Sequence, residues 1–77
     1  MFCVYAIRNQ SGRIYIGQTS DFSRRLHLHN KNAVHSTACD GPWSELKIEQ
    51  FPTREQARYF ERQLKKSRGK RQKWLVE

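Results

Sequence analysis

Two short runs of alternating character, Phe2-Cys3-Val4-Tyr5-Ala6-Ile7 and Ile14-Tyr15-Ile16-Gly17, constrain the fold of this chain more than any other feature. Side chains of an extended strand alternate between faces, so Phe2, Val4 and Ala6 share one face of the first run and Cys3, Tyr5 and Ile7 the other. In the second run Ile14 and Ile16 oppose Tyr15 and Gly17. The intervening Arg8-Asn9-Gln10-Ser11-Gly12-Arg13 carries turn residues. A hairpin loop of about three or five residues, with Gly12 near the left-handed conformation, joins such runs. Either length is expected to set Tyr5 directly opposite Tyr15, two phenols on one face with Gly17 leaving open space beside them. Aromatic cross-strand pairs mostly pack, and the strands alone do not distinguish packing from chemistry.

The rest of the chain can be ordered in the same way. Gln18-Thr19-Ser20-Asp21 offers several N-cap residues before Phe22 to Asn30, which reads as a short helix with Phe22, Leu26 and either Asn30 or Ala33 inward. Lys31 to Pro42 is polar and forms the longest loop, its tip free to move or to close over a ligand. Trp43 to Phe51 reads as a third strand stopped by Pro52. Thr53 and Gln56 make a capping box for a second helix with Ala57, Phe60 and Leu64 as its apolar stripe. That helix ends around Ser67-Arg68-Gly69, and Trp74, Leu75 and Val76 mark a short closing helix. The order strand, strand, helix, strand, helix, helix predicts an α+β domain, a three-stranded antiparallel sheet flanked by helices. Seventy-seven residues leave room for a single domain, residues 1–77, with a core near the lower limit of what folds without staples.

Charge narrows the partner. Fifteen Lys and Arg against seven Asp and Glu give a formal charge of +8, which points to a polyanion, nucleic acid first and an acidic membrane surface second. No stretch is long and apolar enough to span a bilayer, and no signal-peptide pattern opens the chain, so a cytoplasmic protein is expected. Two cysteines, Cys3 and Cys39, are too few for a disulfide scaffold and are expected as reduced thiols. A zinc site from His27, His29 and Cys39 lacks a closely spaced cysteine pair and a fourth ligand.

Several polar groups stand where a purely structural pattern would not put them. Glu61 falls on or beside the apolar stripe of its helix, so it must be neutralised by a base, held at a wet cleft or bound to a cation; an edge residue paired with Lys65 at i+4 is the plain alternative. Arg25 and His29 are four apart and share one face of the first helix. If that face meets the tyrosines, Arg25 can grip a phosphate with its planar fork and His29 can accept or orient a proton; otherwise they belong, with Arg24, His27 and Lys31, to a solvated basic face. Lys65, Lys66, Arg68, Lys70, Arg71 and Lys73 form a basic run suited to non-specific phosphate contact, and Trp74 beside it reads as a core anchor.

Taken together, these residues resemble the GIY-YIG endonuclease superfamily, and within it the small single-domain type similar to the nuclease domain of the bacterial excision-repair incision protein. The resemblance runs over nearly the whole chain: Val4-Tyr5, Ile14-Tyr15-Ile16-Gly17, Arg24-Arg25-Leu26 with His29-Asn30, Pro42-Trp43, Phe51-Pro52-Thr53 and Glu61-Arg62-Gln63-Leu64-Lys65-Lys66. It implies metal-dependent hydrolysis of a nucleic-acid phosphodiester. On that resemblance Tyr5 is the general base or the group that orients water, and Tyr15 supports the water or the scissile phosphate. Arg25 holds that phosphate and offsets developing charge, and His29 assists proton transfer or binds phosphate. Glu61 is the single protein ligand of a divalent cation, Mg²⁺ or Mn²⁺.

An unperturbed tyrosine titrates near pH ~10, so Tyr5 as a base needs help from Arg25, the metal or a relay through His29. The chain departs from the pattern at Cys3, where glycine is frequent, and at Gln18, where the repair nuclease has lysine. It also shows no added DNA-recognition domain, which implies little sequence preference. The expected protein is a DNA endonuclease with nucleic-acid contacts from Arg24, Arg25, Lys65, Lys66, Arg68, Lys70, Arg71 and Lys73. RNA is a further possible substrate, and the protein is expected as a monomer, with dimerisation open. The alternative is a nucleic-acid-binding module of the same fold with weak or no catalysis; a basic adaptor for an acidic protein has no positive feature here.

Overall fold

The computed structural model describes residues 1–77. Strands β1 (Phe2–Arg8), β2 (Ile14–Thr19) and β3 (Ser44–Phe51) form an antiparallel sheet in the order β2-β1-β3, with helices α1 (Phe22–Asn30), α2 (Arg54–Lys66) and α3 (Arg68–Val76) packed on it. This is the expected α+β architecture. The local signals act as their chemistry requires: Asp21 accepts from the backbone N–H of Arg24, and Thr53 from that of Gln56. Ser67 ends α2 and caps α3, accepting from the N–H of Lys70.

The hairpin register differs from the expected one. Asn9 to Arg13 form the loop, closed by a hydrogen bond from the Asn9 N–H to the Arg13 carbonyl, with Gly12 at φ +88. The Asn9 carboxamide adds to it by accepting from the Arg13 N–H and the Ser11 hydroxyl. Arg8 therefore pairs with Ile14, and counting inward puts Tyr5 opposite Gly17 and Ile7 opposite Tyr15. The two tyrosines are diagonal neighbours instead of direct partners. They keep a common face because the slip is an even number of residues.

Each face of the sheet has its own core. Val4, Ala6 and Ile16 pack against Ala57, Leu64 and Trp74 on the α2–α3 side. On the other side Tyr5, Ile7 and Trp43 pack with Tyr15, Phe22, Leu26 and Ile48, so α1 lies over the tyrosine face. Trp74 is the core anchor its sequence pattern implied, its indole N–H donating to Glu49.

The stretch between α1 and β3 is not a free tip. It contains a short 3-10 turn, His35–Thr37, and is tied to the hairpin loop by the Arg13–Asp40 ion pair and by bonds from Asn9 to the Asp40 carbonyl and from Arg13 to the Ser36 carbonyl. At its end the Asn30 carboxamide accepts from the Trp43 N–H at 2.6 Å and donates to the Trp43 carbonyl at 3.1 Å, fixing where β3 begins.

Candidate active site

The tyrosine face collects a directed chain of hydrogen bonds. Tyr5 is fully buried, and its Oη lies 2.8 Å from Nε2 of the equally buried His29. The other ring nitrogen, Nδ1, lies 2.7 Å from the hydroxyl of buried Thr37, which donates onward to the Val34 carbonyl. Arg25 Nε–H donates to Tyr5 Oη at 3.4 Å. These partners assign the tautomer. Arg25 can only donate, so the phenol's own proton has His29 Nε2 as its acceptor, and Thr37, whose proton goes to Val34, accepts from Nδ1–H. The direction is Tyr5 to His29 to Thr37 to backbone.

Gly17 makes this arrangement possible. A Cβ there would stand 2.7 Å from Tyr5 Oη and 3.1 Å from the Tyr15 ring, so the space expected beside the tyrosines is occupied by Tyr5 itself. Tyr15 and His29 complete the packing with ring centroids 5.0 Å apart. Thr37 had no signal in periodicity or motif. It is held by the 3-10 turn and by Trp43, whose indole N–H donates to the Thr37 carbonyl.

Electrostatics set the resting protonation. Burial pushes the Tyr5 phenol up to about 12, against the opposing hydrogen bond from Arg25. Burial, then the Arg25 charge, lowers His29 below its ordinary 6.5. The bond to Tyr5 raises the Arg25 guanidinium still further. At neutral pH the site therefore holds a protonated phenol, a neutral imidazole able to take that proton, and a fixed positive charge.

Of the residues singled out in the sequence, Tyr5, Tyr15, Arg25 and His29 come together. Glu61 is close enough for its charge to raise the Tyr5 phenol, but its carboxylate is paired with Lys65 Nζ at 2.9 Å. Lys65 also lies 5.8 Å from the centre of the Tyr15 ring, which links Glu61 to the tyrosine cluster. His27 is exposed and outside the cluster, as is Arg24. The basic run divides. Lys65, Arg68 and Arg71 line a groove with Tyr15; Lys66 lies beside Glu61 with Arg58 and Arg62; Lys70 and Lys73 line a separate cavity with Tyr59 and Trp74.

Comparison with known proteins agrees with this fold. The model of the GIY-YIG catalytic domain matches residues 1–74, which places the chain in a class of nucleases acting on nucleic acid. The chain belongs to the GIY-YIG family. It is also similar to the UPF0213 protein BH0048 from Bacillus halodurans, solved in solution by NMR, with 29% sequence identity and a TM-score of 0.62 over 99% of this chain and 84% of that one. No curated protein matches it.

Nucleases of this family generally use a divalent metal, and the donor set here permits one in a limited way. No group of three or more His, Cys, Asp or Glu side chains is gathered to cage an ion. Glu61, whose side chain is 19% exposed, can supply one carboxylate to an ion that keeps its waters and a substrate phosphate oxygen, the habit of magnesium. Lys65 would have to release the carboxylate.

Proposed function

We propose that this chain is a divalent-metal-dependent endonuclease that hydrolyses DNA phosphodiesters with little sequence preference, using Mg²⁺ or Mn²⁺. The observation that carries the reading is the Arg25–Tyr5–His29–Thr37 chain, in a domain whose family cleaves nucleic acid. Arg25 grips the scissile phosphate and offsets the charge that develops on it. Tyr5 is sealed while Arg25 caps it, so Arg25 turning to the phosphate is what admits water beside Oη. As water attacks phosphorus, its proton passes to Tyr5 Oη while the phenol's proton moves to His29 Nε2, so no free phenolate is required despite the raised Tyr5 pKa. The resulting imidazolium keeps its Nδ1–H on Thr37. Half-buried Tyr15 positions the phosphate. Glu61 holds the cation, which when bound supplies positive charge to the leaving oxygen. The thiols Cys3 and Cys39 are unpaired and fit a reducing cytoplasm.

The deciding experiment is a cleavage panel of single-stranded, duplex, flapped and branched DNA, with RNA counterparts, in Mg²⁺ or Mn²⁺. Glu61→Gln is expected to reduce cleavage by at least about 100-fold, the scale of losing charge stabilisation at the leaving oxygen, while binding persists. Wild-type protein that leaves every substrate intact with either metal would defeat the enzyme reading. The sealed Tyr5 and the Glu61–Lys65 pair favour one other reading, a binding module of this fold without useful catalysis. That reading gives salt-sensitive binding and no metal-dependent products.

The lowered His29 pKa carries a pH signature. The folded chain holds His29 neutral where the unfolded chain, at 6.5, binds a proton; stability is therefore fully present above that value and is lost as pH falls through the folded pKa. Protonation also removes the acceptor for the Tyr5 proton. Tm and cleavage rate are both expected to fall on the acid side, below 6.5, and Thr37→Ser should keep this behaviour. Thr37→Val should cost about 1–3 kcal/mol by stranding Nδ1–H. The groups facing His29 are Tyr5, Tyr15, Thr37 and Arg25. An acid limb unchanged in His29→Gln would refute the assignment.

A further inference from the structure

Apart from Tyr15 and Lys65 at one end, the groove between the free edge of β2 and the corner where α2 meets α3 is not used by the chemistry above. It encloses about 470 Å³, within the range of small-molecule sites. Its lining is amphipathic: Ile14, Ile16 and Leu75 give an apolar floor, and Lys65, Arg68 and Arg71 a basic rim with no acidic side chain among the lining residues. The helical phase of α3 produces this, because Arg68, Arg71 and Leu75 recur at a spacing of three and four and so share a stripe. Lys70 and Lys73 fall on another face and line the cavity around Trp74. Arg71 is tethered by donating to the Leu64 carbonyl, whereas Arg68 is exposed and has no ion-pair partner. At one end Tyr15 and Lys65 join the groove to the tyrosine cluster.

We infer that this groove seats one nucleotide of the substrate strand next to the bond that is cut, its phosphate on Arg68 and Arg71 and its base on Ile14, Ile16 and Leu75. Lys65, once it leaves Glu61, faces the phosphate at the active-site end. The inference rests on the nuclease reading and gives it a direction: the strand leaves the reaction centre past Tyr15 and along the β2 edge. A base lying on that floor is turned away from a complementary strand, so the seat favours substrates unpaired at this nucleotide. Phosphate contact alone would need only the rim; the apolar floor is what calls for a nucleotide.

The test uses full-length Glu61→Gln protein, which is not expected to cut. Titration with a short thymidine oligonucleotide, followed by methyl NMR, should shift the methyls of Ile14, Ile16 and Leu75, and inorganic phosphate should not. In fluorescence anisotropy Arg68→Ala should weaken the same oligonucleotide several-fold and reduce the salt-dependence slope by about 0.7, the contribution of one single-strand phosphate. Lys47→Ala on β3 and Arg54→Ala at the start of α2 remove the same charge away from the groove and should leave both nearly unchanged. Equal losses from all three variants, or silent Ile14 and Leu75 methyls during binding, would overturn the groove assignment. Wild-type protein that cleaves DNA without these signatures refutes the groove alone. Groove signatures without cleavage refute the nuclease reading and leave the seat standing.

Discussion

Arg25→Ala is expected to lower the cleavage rate by about two to three orders of magnitude, the usual cost of removing a preorganised charge from a developing anion, and Arg25→Lys to recover little of it. The reason lies in the geometry of the fork. Nε of Arg25 rests on Tyr5 Oη at 3.4 Å, and once the side chain turns to the substrate its planar fork can hold two phosphate oxygens at once. A lysine ammonium is a single point and cannot reproduce that paired grip. Single-turnover cleavage with saturating substrate and metal measures the loss. Near-wild-type rates in Arg25→Lys would show that a bare positive charge suffices and that the contact with Tyr5 is incidental.

Tyr5→Phe should lose about 10²- to 10⁴-fold in rate, the range for removing a positioned proton-transfer group. It should also lose stability, because the buried Nε2 of His29 is left without a donor, at a cost of about 1–3 kcal/mol. For a chain this short each kcal/mol moves Tm by roughly 4–8 °C. Tyr15→Phe is the informative comparison. Tyr15 is half-buried and its hydroxyl contacts Arg25 at the site's edge, so its stability should change less than in Tyr5→Phe, and any loss of rate reports on contact with Arg25 and the substrate. A Tyr5→Phe protein that cuts normally while Tyr15→Phe does not would move the proton acceptor to Tyr15.

Much of the fold was legible because its signals are local. Asp21 and Thr53 capped the helices they preceded, and Trp74 went to the core as its spacing implied. The hairpin register was not, because it depends on which residues close the loop. The Asn9 carboxamide accepts from the Arg13 N–H and commits five residues to the turn, moving the partner of Tyr5 to Gly17. Arg25 and His29 could be paired from helical spacing, but the meeting with Tyr5 is a tertiary event. Thr37 could not be found at all: its only distinction is a position set by Trp43 and the 3-10 turn. The basic run shows the reverse case. As a string it was a count of charges, and only the phase of α3, fixed by the Ser67 cap, sorts Arg68 and Arg71 from Lys70 and Lys73.

That shared cap has a consequence for how such a domain can vary. Ser67 is at once the C-terminal cap of one helix and the N-terminal cap of the next, with no spare residue between them. Each residue of a helix advances about 100° around its axis. One amino acid inserted at the corner would leave composition and net charge almost untouched, yet it would swing the arginines off the β2 edge. Length at this joint is therefore the property that cannot drift, while the identities of the outward-facing residues on α3 are free to change.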